Sequence, residues 1–100
     1  MRIVSRKPLT VFAAKHPQAR KPLDDWYFAA KKGLFADLAK LKQTFGSVDC
    51  VSVKKQGYYV FDIGGNKYRL VTAIHFNTQI IYVRHLLTHE EYDREDWKKQ

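Results

Sequence analysis

The run Phe61-Asp62-Ile63-Gly64-Gly65-Asn66-Lys67-Tyr68-Arg69-Leu70-Val71 decides how this chain folds, together with Ile80-Ile81-Tyr82-Val83-Arg84-His85-Leu86-Leu87 and Thr88-His89-Glu90-Glu91-Tyr92-Asp93. Gly64-Gly65 separates two runs of β-branched and aromatic residues, and glycine takes the positive φ of a tight hairpin turn without steric cost. A second turn falls near Asn77-Thr78. The stretch from Tyr58 to Asp93 therefore predicts three consecutive antiparallel strands that end in a helix.

Two-residue turns would place Ile63 opposite Asn66 and Phe76 opposite Gln79, and side-chain alternation then sorts the strands into two faces. One face carries Tyr59, Phe61, Ile63, Tyr68, Leu70, Ile74, Phe76, Ile81, Val83 and Leu87, with Thr72, Gln79 and His85 among them. That is a core face. The other carries Tyr58, Asp62, Lys67, Arg69, His75, Tyr82 and Arg84. In this register Val71 faces Arg84, and Arg69 lies diagonally across the pair, about 7 Å away at the backbone, so that two guanidinium forks could converge on one anion. A three-residue turn would separate them.

Outward from this sheet, Thr88-His89-Glu90-Glu91 has the form of a capping box and starts a final short helix with His89 and Tyr92 three residues apart on one side. Toward the N-terminus, Val48 to Lys55 reads as the preceding strand, joined through Gln56-Gly57. Phe35 to about Thr44 reads as a helix stopped by Gly46. Pro22, with Asp24 and Asp25 at the positive dipole end, starts another helix that Gly33 can close. Lys7-Pro8 opens a helix over 8–16, ended by Pro17. Arg2 to Ser5 is a short strand candidate. The pattern is α+β: N-terminal helices on one face of a mainly antiparallel sheet of about four strands, then a short C-terminal helix.

One hundred residues suit a single domain over 1–100 with one core. The composition, 45% hydrophobic and 28% charged, is that of a globular protein. A net charge of +8 and a pI near 9.7 favour a polyanionic partner such as RNA, DNA or an acidic protein. The charge is uneven: residues 1–43 hold ten Lys or Arg against three Asp, while residues 90–96 hold five carboxylates and one Arg. Cys50 is the single cysteine, which rules out an intramolecular disulfide and fits a reducing compartment. No apolar run approaches the roughly 18 residues of a membrane span. Met-Arg-Ile-Val-Ser-Arg lacks the apolar segment of a signal peptide, so the expected address is the cytoplasm, without a membrane partner.

His16, His75, His85, His89 and Cys50 show no paired ligand spacing, so no metal site is expected. Gly64-Gly65-Asn66-Lys67 lacks the outer spacing and the Ser or Thr of a phosphate loop. What remains is Lys67, Arg69, Arg84, His89 and Tyr92, with Lys54 and Lys55 one strand away. Cations on a rigid sheet beside an imidazole and a phenol are what metal-free RNA cleavage needs: a base for the 2′-hydroxyl, positive charge on the phosphorane, an acid for the leaving oxygen. Each member also has a structural reading. Tyr92 and Leu87 can form a hydrophobic staple, and His89 can be a solvent-facing first-turn residue with Asp93 as its neighbour. Arg69 and Arg84 can pair with Asp62 or with the acidic final helix. Lys54 and Lys55 can be solvated charges flanking a turn, and His75 and His85 can be structural.

These segments, with the helical first half around His16-Pro17-Gln18, closely resemble the HigB-type toxins of bacterial toxin–antitoxin modules, relatives of RelE. The resemblance spans nearly the whole chain. It implies a RelE-like fold and a ribosome-dependent mRNA endonuclease, needing no cofactor and silenced by a HigA-type helix-turn-helix antitoxin. Under that reading Arg69 and Arg84 hold the scissile phosphate, His89 and Tyr92 form the acid–base pair, and Lys54, Lys55 and Lys67 bind flanking phosphates. The rival reading is a non-catalytic RNA- or DNA-binding module, whose basic face only holds phosphates.

Overall fold

The computed structural model describes residues 1–99; Gln100, the last residue of the expected domain, lies outside the described residues. Strands β2 (Asp49–Val53), β3 (Gln56–Ile63), β4 (Tyr68–His75) and β5 (Ile80–Thr88) form the expected antiparallel meander. The N-terminal candidate is a strand too: β1 (Arg2–Val4) pairs in parallel with β5 and completes a five-stranded sheet of order β1-β5-β4-β3-β2.

Helices α1 (Lys7–Lys15), α2 (Arg20–Lys32) and α3 (Leu38–Thr44) precede the meander. Pro8 starts α1, and a 3₁₀ turn over Pro17–Ala19 leads directly into α2. Helix α2 therefore begins before Pro22, and Asp24 and Asp25 lie beyond its first residues. Helix α3 starts three residues later than the spacing suggested, because the Asp37 side chain accepts from the Lys40 amide and caps it there. Leu9, Phe12, Leu23, Trp26 and Leu41 pack with Phe61, Leu70 and Ile81 into the main core, on the face predicted for it. Gln79 clips the segment before α3 to the β4–β5 turn: its amide donates to Phe35 O and Phe76 O at 2.7 Å, and its oxygen accepts from Phe35 N.

Two of the turns differ from those predicted, while the one at Asn77-Thr78 stands where expected, with the Gln79 backbone amide donating to Phe76 O. Gly64 and Gly65 do adopt positive φ, 65° and 72°, but within a four-residue connection, so that Ile63 pairs with Tyr68. This moves the register by two residues and leaves every side chain on its predicted face. The two-residue turn with positive φ is instead Lys54-Lys55, at 51° and 70°, between Val53 and Gln56. Between β4 and β5 the predicted register holds from His75↔Ile80 to Thr72↔Val83, where it breaks. A bulge puts His85, not Arg84, opposite Val71, and Arg69 then faces Leu87. Beyond the bulge the alternation on β5 inverts. Leu86 joins the main core, while His85 and Leu87, expected there, turn to the second face.

Candidate functional site

The second face is not uniformly polar. Val60, Val71 and Trp97 form a small separate core, with Val51, Val53, Tyr58, Leu87 and Tyr92 packed against it. Its lid is built by the chain end: α4 (His89–Arg94) followed by a 3₁₀ turn over Asp96–Lys99. The predicted capping box is complete, with the Thr88 hydroxyl accepting from the Glu91 amide at 3.2 Å and the Glu91 carboxylate accepting from the Thr88 amide at 2.9 Å. Glu95, at φ 62°, turns the chain so that Trp97 folds beneath α4, 4% exposed. Tyr92 stacks on its ring at 5.4 Å with the planes 17° apart.

Arg69 is held under this lid. Its Nε lies 3.2 Å from Asp62 Oδ1, Nη1 donates to Asn66 O and Tyr68 O, and Nη2 donates to Asn66 Oδ1. Its guanidinium sits 5.6 Å from the centre of the Tyr92 ring, and the residue is 9% exposed. Most of its five N–H donors are thus engaged within the protein. Arg84, in contrast, is exposed, on the bulge, with its guanidinium 5.4 Å from the Tyr82 ring centre. The two arginines do not converge on one anion: Arg69 faces Leu87, three residues from Arg84, or about 10 Å along β5.

The N-terminus of α4 is anchored to the β3–β4 turn by the His89 amide, which donates to Lys67 O at 2.9 Å. His89 Nδ1 lies 3.0 Å from Asp93 Oδ2, one helical turn on, and the imidazole is partly exposed. Donation from Nδ1 to the carboxylate leaves Nε2 as a proton acceptor. Tyr92 is half-buried, and burial, ahead of smaller opposing charges, raises its phenol pKa. The phenol is therefore protonated at neutral pH. Tyr92 and Leu87 pack against the same small core, as a staple requires.

The lysines fall elsewhere. Lys67 is exposed and its Nζ reaches Gln18 Oε1 at 3.3 Å, toward the helical layer rather than the second face. Lys54 and Lys55 form the exposed tip of the β2–β3 hairpin, at the sheet end away from α4. They are not neighbours of His89. Two residues read as structural in the sequence, His75 and His85, share the second face with Arg84 and Tyr82. His75 is exposed and packs edge-on against Tyr82 at 5.1 Å, and His85 lies 5.9 Å from Trp97. Burial, then the Arg84 charge, lowers the His85 pKa. Adjacent Arg84 and His85 between Val83 and Leu86 were the available sign of the bulge, since strict alternation would bury one of them.

Among the described residues there is no cluster of three or more His, Cys, Asp or Glu suited to a metal ion, and no helix long and apolar enough to cross a membrane. The cleft between α1 and α2, lined by Arg6, Leu9, Leu23 and Tyr27, lies on the helical layer, away from these groups.

Residues 19–95 match the model of a family described as HigB toxin, RelE-like toxic component of a toxin-antitoxin system. The chain is 36% identical over 93 residues, 93% of its own length and 88% of the relative's, to the mRNA interferase toxin HigB of Escherichia coli strain K12. The mRNA interferase HigB of Shigella flexneri matches to the same extent. That of Escherichia coli O6:H1 is 30% identical over 94 residues, covering 94% of this chain and 90% of the relative. The five-stranded sheet with helices on one face and a capped C-terminal helix agrees with the RelE-like architecture that the resemblance implied. The chain belongs to the HigB family of RelE-like toxins.

Proposed function

We propose that this chain is an endoribonuclease that cuts mRNA on the ribosome, inhibits translation and growth in the cytoplasm, and is neutralised by a HigA-type antitoxin. The reaction is a metal-independent transesterification. The 2′-oxygen bonds to the adjacent phosphorus, the bond from phosphorus to the 5′-oxygen breaks, and the products carry a 2′,3′-cyclic phosphate and a 5′-hydroxyl. His89 Nε2 takes the 2′-hydroxyl proton, and the Tyr92 phenol gives a proton to the leaving 5′-oxygen.

The observation that carries this reading is the His89–Asp93 pair at the capped start of α4, because it orients one imidazole nitrogen as an acceptor on the helix that also carries the Tyr92 phenol three residues on. Arg84 holds the RNA backbone entering this centre. It stands five residues before His89, about 16 Å along the strand at the backbone, a span that two side chains and a bound nucleotide strand can bridge. Lys54, Lys55 and Lys67 hold phosphates farther along. Arg69, with its donors engaged, acts as a positioning residue that fixes the Tyr92 ring from below. Such a centre supplies few groups to the transition state, which suits a partner that presents the mRNA already bent for in-line attack; the ribosome is that partner.

The test is to map mRNA 5′ ends after brief induction, with and without translating ribosomes. New 5′-hydroxyl ends within translated codons, absent when initiation is blocked, are expected. Unchanged mRNA with growth still arrested would overturn the reading and favour a toxin that only binds.

A further inference from the structure

The second face has a covered end and an uncovered one. Over Val60 and Val71 it is closed by Trp97 and α4. Toward the β4–β5 turn it is open, and there His75, Tyr82 and Arg84 form a continuous group: the His75 and Tyr82 ring centres are 5.1 Å apart, and the Arg84 guanidinium is 5.4 Å from the Tyr82 ring centre. Across the ladder from Tyr82 stands Ala73, which adds no bulk beside the ring. Alternation puts Arg84 on the same face as Tyr82, and the bulge leaves it without a partner across the ladder, since Val71 pairs with His85 instead. None of these three side chains is held by a hydrogen bond or ion pair among the described residues, in contrast to Arg69.

An exposed imidazole and a half-buried phenol ring beside an exposed guanidinium are the parts of a platform for single-stranded nucleic acid, since aromatic faces and guanidinium planes both stack on bases and the guanidinium also binds phosphate. The surrounding charge sets the direction of the strand. On α4 and the turn after it, Glu90, Glu91, Asp93, Glu95 and Asp96 outnumber Arg94, Lys98 and Lys99, although Glu95 and Asp96 are paired with Lys98 and Lys99, while the sheet end away from α4 terminates in the Lys54-Lys55 tip. A strand leaving the His89 centre is therefore drawn along the open sheet and not over the lid.

We propose that Tyr82 and His75 form a nucleobase-stacking subsite on the uncovered sheet end, with Arg84 binding the phosphate that links the stacked nucleotide to the cut one. The proposal rests on the RNA-cleaving reading above, and it makes this end the place where a base near the cut is sensed. Stacking is tolerant of base identity but stronger for purines, so the cleavage pattern carries a purine bias at the nucleotide seated there.

The experiment measures equilibrium binding of the full chain to a short single-stranded oligoribonucleotide and to copies carrying one abasic position moved stepwise along it. Wild type is expected to lose about 5- to 100-fold in affinity at one abasic position, the scale of one stacked base. Tyr82→Phe should keep that loss, and Tyr82→Leu or the surface change His75→Ala should reduce it while the salt dependence, set by phosphate contacts, stays nearly the same. Wild-type discrimination retained by folded Tyr82→Leu and His75→Ala, or its absence from wild type at every position, overturns the proposal. Binding is read without cleavage, so a wild type that stacks a base yet leaves mRNA uncut on the ribosome refutes the functional reading and leaves the subsite standing.

Discussion

The two arginines of the second face, Arg69 and Arg84, have the same chemistry and opposite situations. Arg69 is 9% exposed, paired with Asp62, bonded to Asn66 and Tyr68, and covered by the Tyr92 ring. Arg84 is exposed on a bulge with the Tyr82 ring beside it and no ion pair among the described residues. The difference follows from the lid. Where Trp97 closes the sheet, a cation has to be satisfied internally, since an unpaired buried charge costs several kcal/mol; where the sheet is open, water satisfies it and an anion can replace the water. A strand arginine is thus a structural clamp or a ligand-binding group according to what covers it.

The strongest way to break the comparison is to remove the lid. Trp97→Ala should lower stability by about 3 to 5 kcal/mol, the usual cost of deleting a buried large aromatic, and should release α4 with it. Denaturant unfolding and amide exchange over Asp96–Lys99 measure both, and an unchanged midpoint would show that the small core contributes little. The arginine pair sharpens the contrast. Arg69→Ala leaves the Asp62 carboxylate and the Asn66 side chain without their partner, and should cost about 1 to 3 kcal/mol of stability. Arg84→Ala should leave stability within about 0.5 kcal/mol and lower kcat/KM on ribosome-bound mRNA by about 10- to 100-fold, through loss of one charge-assisted contact. Equal melting temperatures for the two variants would contradict the account.

The smallest expected effect is on pH. The folded-state pKa of His85 is lowered by burial and by Arg84. Its contribution to stability is therefore complete above the unfolded value of about 6.5 and is lost as pH falls through the lower folded value. Thermal melts of His85→Phe should show less acid destabilisation just below neutrality than wild type. Identical pH dependence would remove His85 as a source.

Much of this arrangement was legible in the residues. The alternation from Tyr58 to Val83 put Phe61, Leu70 and Ile81 in the core, and Thr88 and Glu91 announced the cap of α4. The predicted faces tolerated the wrong turn length at Gly64-Gly65, because a register error of two residues preserves alternation. They did not tolerate the bulge, where a single extra residue moved His85 and Leu87 across the sheet. The Lys54-Lys55 turn was hidden for a related reason: positive φ is read from glycine, and Gly57 two residues later drew the turn away from it. The role of Trp97 depends on the left-handed residue Glu95, which has no local sequence signature, so the lid and the burial of Arg69 could not be read.

The central claim is that His89 and Tyr92 carry proton transfer at the capped start of α4. It is tested most directly by single-turnover cleavage of ribosome-bound mRNA by wild type, His89→Gln and Tyr92→Phe, with the product ends identified chemically. Neither change should move the melting temperature by more than a few degrees, since the Tyr92 hydroxyl makes no hydrogen bond among the described residues and His89 is partly exposed. The account predicts 5′-hydroxyl ends from wild type and a loss of about 10² or more in rate for at least one of the two variants, the scale of a general acid–base group. Wild-type rates from both folded variants, or 5′-phosphate ends, would contradict it.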